Sequence, residues 1–89
     1  MRFEWNRGKA EQNRRKHDVT FDEAVTIFHD ALAATFDDPD GSIGEARLIT
    51  IGYSVDGRLL VVSHTESGET IRIISARLAT AHERRRHET

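Results

Sequence analysis

The sequence predicts an α+β fold of order β-α-α-β-β-β-α, with two helices on one face of a small antiparallel sheet and a short C-terminal helix. Three observations carry this. Phe21, Ala24, Val25, Phe28 and Leu32 recur at helical spacing and make one apolar stripe. Three apolar segments, EARLITIGYSV, RLLVVSHTE and ETIRIISA, are separated by Asp56-Gly57 and Ser67-Gly68, dipeptides suited to two-residue hairpins. Two T-x-x-E capping boxes, Thr20/Glu23 and Thr80/Glu83, mark helix starts. At 89 residues the chain is one domain, residues 1–89.

The elements follow in order. RFEW reads as a short first strand, and Asn6 then caps a polar surface helix over residues 7–16. The apolar stripe makes residues 19–32 the second helix. FDDPDGSIGE is a loop, broken by Pro39, Gly41 and Gly44. With two-residue turns, Tyr53 pairs with Leu60 and Val62 with Ile73. Ile49, Ile51, Tyr53, Leu60, Val62, Ile71 and Ile73 then form the core face. Leu48, Thr50, Gly52, Leu59, Val61, Ser63, Thr65, Arg72 and Ile74 form a mixed opposite face. His64 falls on the core side, half-buried near a sheet edge. The last helix starts near Ala81 and runs about two turns.

Net charge is −2, but it is segregated. Residues 1–17 carry +4, residues 18–45 carry −8, residues 46–70 carry −1 and residues 71–89 carry +3. Two basic ends around an acidic middle predict a basic surface if the fold brings the ends together. The chain has no cysteine, so disulfides and thiolate chemistry are excluded. No apolar leader or membrane-length run is present, and a cytoplasmic location is expected. His82 and His87 are five apart, and no H-x-x-x-H occurs, so neither metal nor cofactor is expected. P-loop, nucleophile-elbow and dinucleotide motifs are absent.

The candidates for chemistry are basic. Arg72 is either a solvated arginine pairing with Glu66 or Glu69, or a clamp for phosphate or carboxylate. Arg77 sits at the strand-to-helix junction, where it can reach across the fold. Lys16 and His17 either complement the helix C-terminus or place proton-transfer groups beside a basic groove. Arg84, Arg85 and Arg86 make a basic last helix, ordinarily a solvated face. Glu83 could be a base, though its capping box accounts for it. Lys16, Arg72, Arg77 and part of the last helix are expected to converge on one side.

These residues coincide with a family pattern. FEWNRGKAEQNRRKH, TFDEA, DPDGSIGEARLITIG and above all IRIISARLATAHER resemble BrnT-type toxins of bacterial type II toxin–antitoxin systems. Arg72, Ile74, Ser75, Arg77, Ala79, Glu83 and Arg84 stand in the most specific stretch. Asp18 replaces a glycine common in the family, and His87 replaces a common tyrosine. The resemblance implies a RelE-like fold and a metal-independent ribonuclease that cleaves mRNA and slows translation and growth. It implies a BrnA-like ribbon-helix-helix antitoxin, with operator DNA contacted only through that partner. In that frame Arg72, Arg77, Lys16 and His17 are the expected catalytic residues, and Arg84, Arg86 and Arg47 the expected RNA-binding ones. The alternative is a non-catalytic RNA- or protein-binding module acting as co-repressor.

Overall fold

The computed structural model describes residues 1–39 and 46–89. Its elements are β1 (Arg2–Glu4), α1 (Arg7–His17), α2 (Phe21–Thr26), a 3-10 turn (Ile27–His29), β2 (Ala34–Asp37), β3 (Arg47–Tyr53), β4 (Leu59–Ser67), β5 (Thr70–Leu78) and α3 (Ala81–His87). The sheet order is β1-β5-β4-β3-β2. β1 runs parallel to β5 and every other pair is antiparallel, so the expected α+β sheet is mixed.

Local chemistry explains the helix limits. Asn6 accepts the Lys9 N–H at 3.0 Å and starts α1. Arg14, Arg15, Lys16 and His17 crowd its last turn, beside the negative end of the helix dipole. The helix stops at Asp18, whose φ of +56° is left-handed. Glycine adopts that conformation without strain, whereas an aspartate there does so at some cost. Asn13, buried on α1, donates to Val19 O at 3.0 Å and Ala76 O at 2.8 Å, and accepts from Ala76 N at 3.1 Å. Its amide occupies the outer edge of β5 where β1, paired only along Thr70–Arg72, no longer reaches.

The second helix is shorter than its stripe. Thr20 accepts the Glu23 N–H as expected, at 3.0 Å. The Glu23 carboxylate, however, turns inward instead of completing the box. It accepts from Ser54 Oγ at 2.7 Å and Arg58 Nε at 3.0 Å, and Arg58 holds it below the usual carboxylate range. Thr26 Oγ1 binds Glu23 O at 2.6 Å and receives Val55 N–H at 2.9 Å, ending the helix. Asp30 then accepts from Leu32 N and Tyr53 N, tying the turn to the end of β3. Gly52 permits that close approach, because a Cβ there would lie 3.0 Å from Ala33 Cβ. Leu32, expected on the buried stripe, is consequently 76% exposed.

Part of the expected loop is a strand. β2 pairs with β3, and Thr35 Oγ1 meets Thr50 Oγ1 at 2.7 Å. Gly41 and Gly44 lie outside the described residues.

The first hairpin inverts half of the expected face assignment. Ser54 N–H binds Arg58 O at 2.8 Å and Gly57 has φ +78°, leaving Val55-Asp56-Gly57 as a three-residue loop. Tyr53 therefore pairs with Leu59, not Leu60. A one-residue shift moves every β3 side chain to the other face. Thr50 and Gly52 face the helices, and Ile49, Ile51 and Tyr53 join the outer face. The second turn is two-residue, Gly68-Glu69, and places His64 opposite Ile73. A bulge at Ser63/His64 then inserts Ile74 into β5, so Val62 pairs with Ala76.

Two cores result. Val19, Phe21, Ala24, Ile27, Leu60, Val62, Ile71, Ile73 and Ala76 pack between the sheet and α1/α2, with Phe3, Trp5 and Phe28 at the margin. Ile51, Leu59 and Val61 form a smaller cluster on the outer face with Ile49, Tyr53 and Ala79. The outer face is therefore partly covered near α3.

His64 is fully buried rather than half-buried. Its Nε2 lies 2.8 Å from Thr50 Oγ1, Phe28 packs edge-on at 5.0 Å, and Nδ1 has no partner among the described residues. Burial pushes its pKa below 6.5, opposed weakly by Glu66. The folded state thus holds a neutral ring, and its stability is full above the unfolded pKa. It declines as pH falls and the unfolded chain takes up the proton. The urea midpoint is expected to drop between about pH 7 and about pH 5, and His64→Leu is expected to flatten that drop.

Candidate functional site

Strand register sets out the outer face row by row. Arg47, Thr65 and Arg72 stand side by side on β3, β4 and β5, and Glu4 of β1 is opposite Arg72. Ile49, Ser63 and Ser75 form the next row, then Ile51, Val61 and Arg77. Arg72 and Arg77 are five positions apart and would lie on opposite faces in a regular strand. The inserted Ile74 restores them to one face.

Their environments differ. Arg72 is about half exposed, and its Nη1 lies 3.3 Å from Glu4 Oε1. Arg77 is held bidentately by Glu83 at 2.8 and 2.9 Å, and its Nη1 also donates to Leu78 O at 3.2 Å. Glu83 also accepts the Thr80 N–H at 2.8 Å, completing the expected capping box. Arg77, then burial in opposition, then the Thr80 N–H set its pKa, which falls to about 2. Glu83 is therefore an anion at neutral pH and a poor base. Its stabilising contribution is full above 4.5 and is lost as pH falls toward about 2. Glu83→Gln is expected to cost about 1–2 kcal/mol at neutral pH, as a charged pair and a cap are weakened. Denaturant titrations of that variant should show a shallower acid limb between pH 4.5 and about 2.

Beyond Arg77 the outer face opens into a cleft of about 700 Å³ against α3. It is lined by apolar Leu32, Phe36 and Ile51 and by charged Arg77, Glu83 and Arg86. Tyr53 donates to Glu88 at 2.6 Å, which raises the phenol pKa, while Arg84 acts weakly in the other direction. His87 lies tilted against Tyr53 at 6.2 Å. Arg86 lines this cleft and Arg84 acts on Tyr53, whereas Arg47 stands on β3 two rows away from Arg77.

Lys16 and His17 are placed differently. They follow Asn13 by one turn on α1, beside the edge of β5 that Asn13 occupies. No hydrogen bond or ion pair among the described residues joins either to Arg72 or Arg77. The structure brings Arg72, Arg77 and Arg47 to one face but does not bring Lys16 and His17 to them: both end α1, whose Ala10 packs against the core on the other side of the sheet. The Arg77–Glu83 pair was not legible in the sequence. The six-residue spacing of Arg77 and Glu83 across a strand-to-helix junction carries no periodic signal.

The model of the family described as "Ribonuclease toxin, BrnT, of type II toxin-antitoxin system" matches residues 5–83. The chain belongs to the BrnT family. No curated protein matches it. Among solved structures, the Brucella abortus ribonuclease toxin BrnT is similar, with a TM-score of 0.68 and 24% sequence identity. That match covers 90% of this chain and 97% of the Brucella chain, and it shows the shared fold. Within the BrnT family match lie Arg47, Arg72, Arg77 and Glu83, and the match ends as α3 begins. No helix among the described residues is long and apolar enough to cross a membrane.

Proposed function

We propose that the chain is an endoribonuclease toxin that cleaves mRNA on the outer sheet face without a metal ion. The observation that carries this is the convergence of Arg47, Arg72 and Arg77 on that one face. The ribose 2′-oxygen attacks the adjacent phosphorus, and the bond to the 5′-oxygen breaks. The products are a 2′,3′-cyclic phosphate and a 5′-hydroxyl. Arg72 and Arg77 offset the charge of the phosphorane. Lys16 and His17, at the β5 edge, are assigned to moving the proton from the 2′-hydroxyl to the leaving oxygen. Arg47, Arg84 and Arg86 contact flanking phosphates. In the cell a BrnA-like ribbon-helix-helix antitoxin covers this surface and carries the pair to operator DNA.

Incubating the purified protein with RNA in a chelator tests the reading. Cleavage with cyclic phosphate ends is expected, and intact RNA would contradict it. A second reading, a non-catalytic co-repressor, draws on the Arg77 fork being occupied by Glu83. RNA binding with no cleavage would favour it.

A further inference from the structure

We propose that Ser63, Thr65 and Ser75 form the seat for the reacting phosphodiester, between Arg72 and Arg77. This rests on the ribonuclease reading above. Ser63 and Ser75 are directly opposite each other on β4 and β5. Directly opposed residues place their Cβ atoms about 4.5–5.5 Å apart. Thr65 is the next same-face residue on β4, roughly 7 Å along the strand. The three hydroxyls therefore line one short stretch of sheet, with Arg72 beside Thr65 and Arg77 one row beyond Ser75.

Among the described residues none of the three side-chain hydroxyls donates to or accepts from a protein group, whereas those of Thr26, Thr50, Ser54 and Thr80 all hold partners. Opposed serines in a sheet commonly bond each other, and these do not. Thr65 is 8% exposed, and Ser63 and Ser75 are half-buried. Packed side chains thus restrict where each hydroxyl can point, and solvent is its remaining partner.

The bulge gives the arrangement a physical origin. In a regular β5 paired from Thr70, Ser75 and Arg77 would follow Ile71 and Ile73 into the core. Inserting Ile74 turns both outward and sets Ser75 against Ser63. A bulge disrupts the ladder, and bulges are common where a side chain must be re-aimed beside a site. Neutral hydroxyls suit the inner position. They donate to non-bridging oxygens of the phosphate, while the arginines on either side supply the charge. The hydroxyls exchange no bond; they orient the phosphorus for in-line attack by the 2′-oxygen.

The test is a cleavage assay with Ser63→Ala/Ser75→Ala, Thr65→Val and, as control, Ser67→Ala at the β4–β5 turn. The double variant is expected to lose about 100-fold or more in kcat/KM, as for removal of a donor to the reacting oxygen. Thr65→Val is expected to lose about tenfold, the effect of one hydrogen bond. Melting temperatures should be unchanged, because no protein hydrogen bond is removed, and Ser67→Ala should match wild type. If wild type cleaves RNA and the double variant and Thr65→Val both stay within threefold of it, the seat is wrong and the ribonuclease reading stands. If the double variant fails to fold, the serines are structural and the inference is overturned, unless folded Thr65→Val and Ser75→Ala each show the loss. If wild type leaves RNA intact, both readings fall together.

Discussion

Arg72→Ala is expected to slow RNA cleavage by about 10²–10³-fold while leaving the fold intact. Arg72 projects from β5 on the outer face, opposite the buried Ile71 and Ile73. Its ion pair with Glu4 is long, at 3.3 Å, and both side chains are about half exposed. Exposed pairs of this kind contribute about 0–1 kcal/mol, so truncation should cost roughly 0.5 kcal/mol of stability. Its charge stands over the row where the phosphate is proposed to react, and a charge aimed at a developing phosphorane is worth far more than one in water. Arg72→Lys should recover only part of the rate, because an ammonium lacks the planar fork. Arg85 is the control. It is exposed on α3, and its side chain makes no bond among the described residues. Expressed in cells, Arg72→Ala should no longer arrest growth, and Arg85→Ala should. An Arg72→Ala protein that remains fully toxic, or that unfolds, would assign the arginine a structural role.

The largest stability effect is expected at Asn13. Asn13→Ala removes three hydrogen bonds from a side chain that is 7% exposed. Both backbone groups of Ala76 lose their partner at a buried strand edge, and each unsatisfied group costs about 1–3 kcal/mol. A net loss of about 3 kcal/mol follows if water replaces part of the set. At about 4–8 °C per kcal/mol for a domain of this size, the melting temperature should fall by about 12–24 °C. Calorimetry of the variant measures this directly. A fall of less than about 4 °C would mean that the α1–β5 seam contributes little.

The sequence exposed the features that repeat or terminate. Caps at Asn6, Thr20 and Thr80, the stripe from Phe21 and the three alternating strands are all periodic or positional signals, and all were legible. β2 was not, because Ala34–Asp37 is four exposed residues with an aspartate at its end. Nothing in that composition distinguishes a sheet-edge strand from a loop. The inversion of β3 came from one residue of loop length, since Asp56-Gly57 fits a two-residue turn and a three-residue one equally well. Tertiary contacts at Gly52 and Asp30 cut the second helix short, and no local pattern reports them. For the site, Arg72 stood out in the middle of an otherwise apolar segment and Arg77 at the strand-to-helix junction. Their sharing of a face depended on a bulge, which has no sequence signature here. Asn13 looked like part of a polar surface helix and Glu23 like the second half of a capping box, and their inward roles depend on partners 63 and 35 residues away.

The proposed function requires RNA to be engaged on the outer sheet face. Amide chemical-shift mapping with a non-cleavable RNA, 2′-deoxy at the reacting position, tests it most directly. Shifts are expected along β3–β5 at Arg47, Ser63, Thr65, Arg72, Ser75 and Arg77, extending into α3. Shifts confined to α2 and the first turns of α1, with those six residues unmoved, would contradict it.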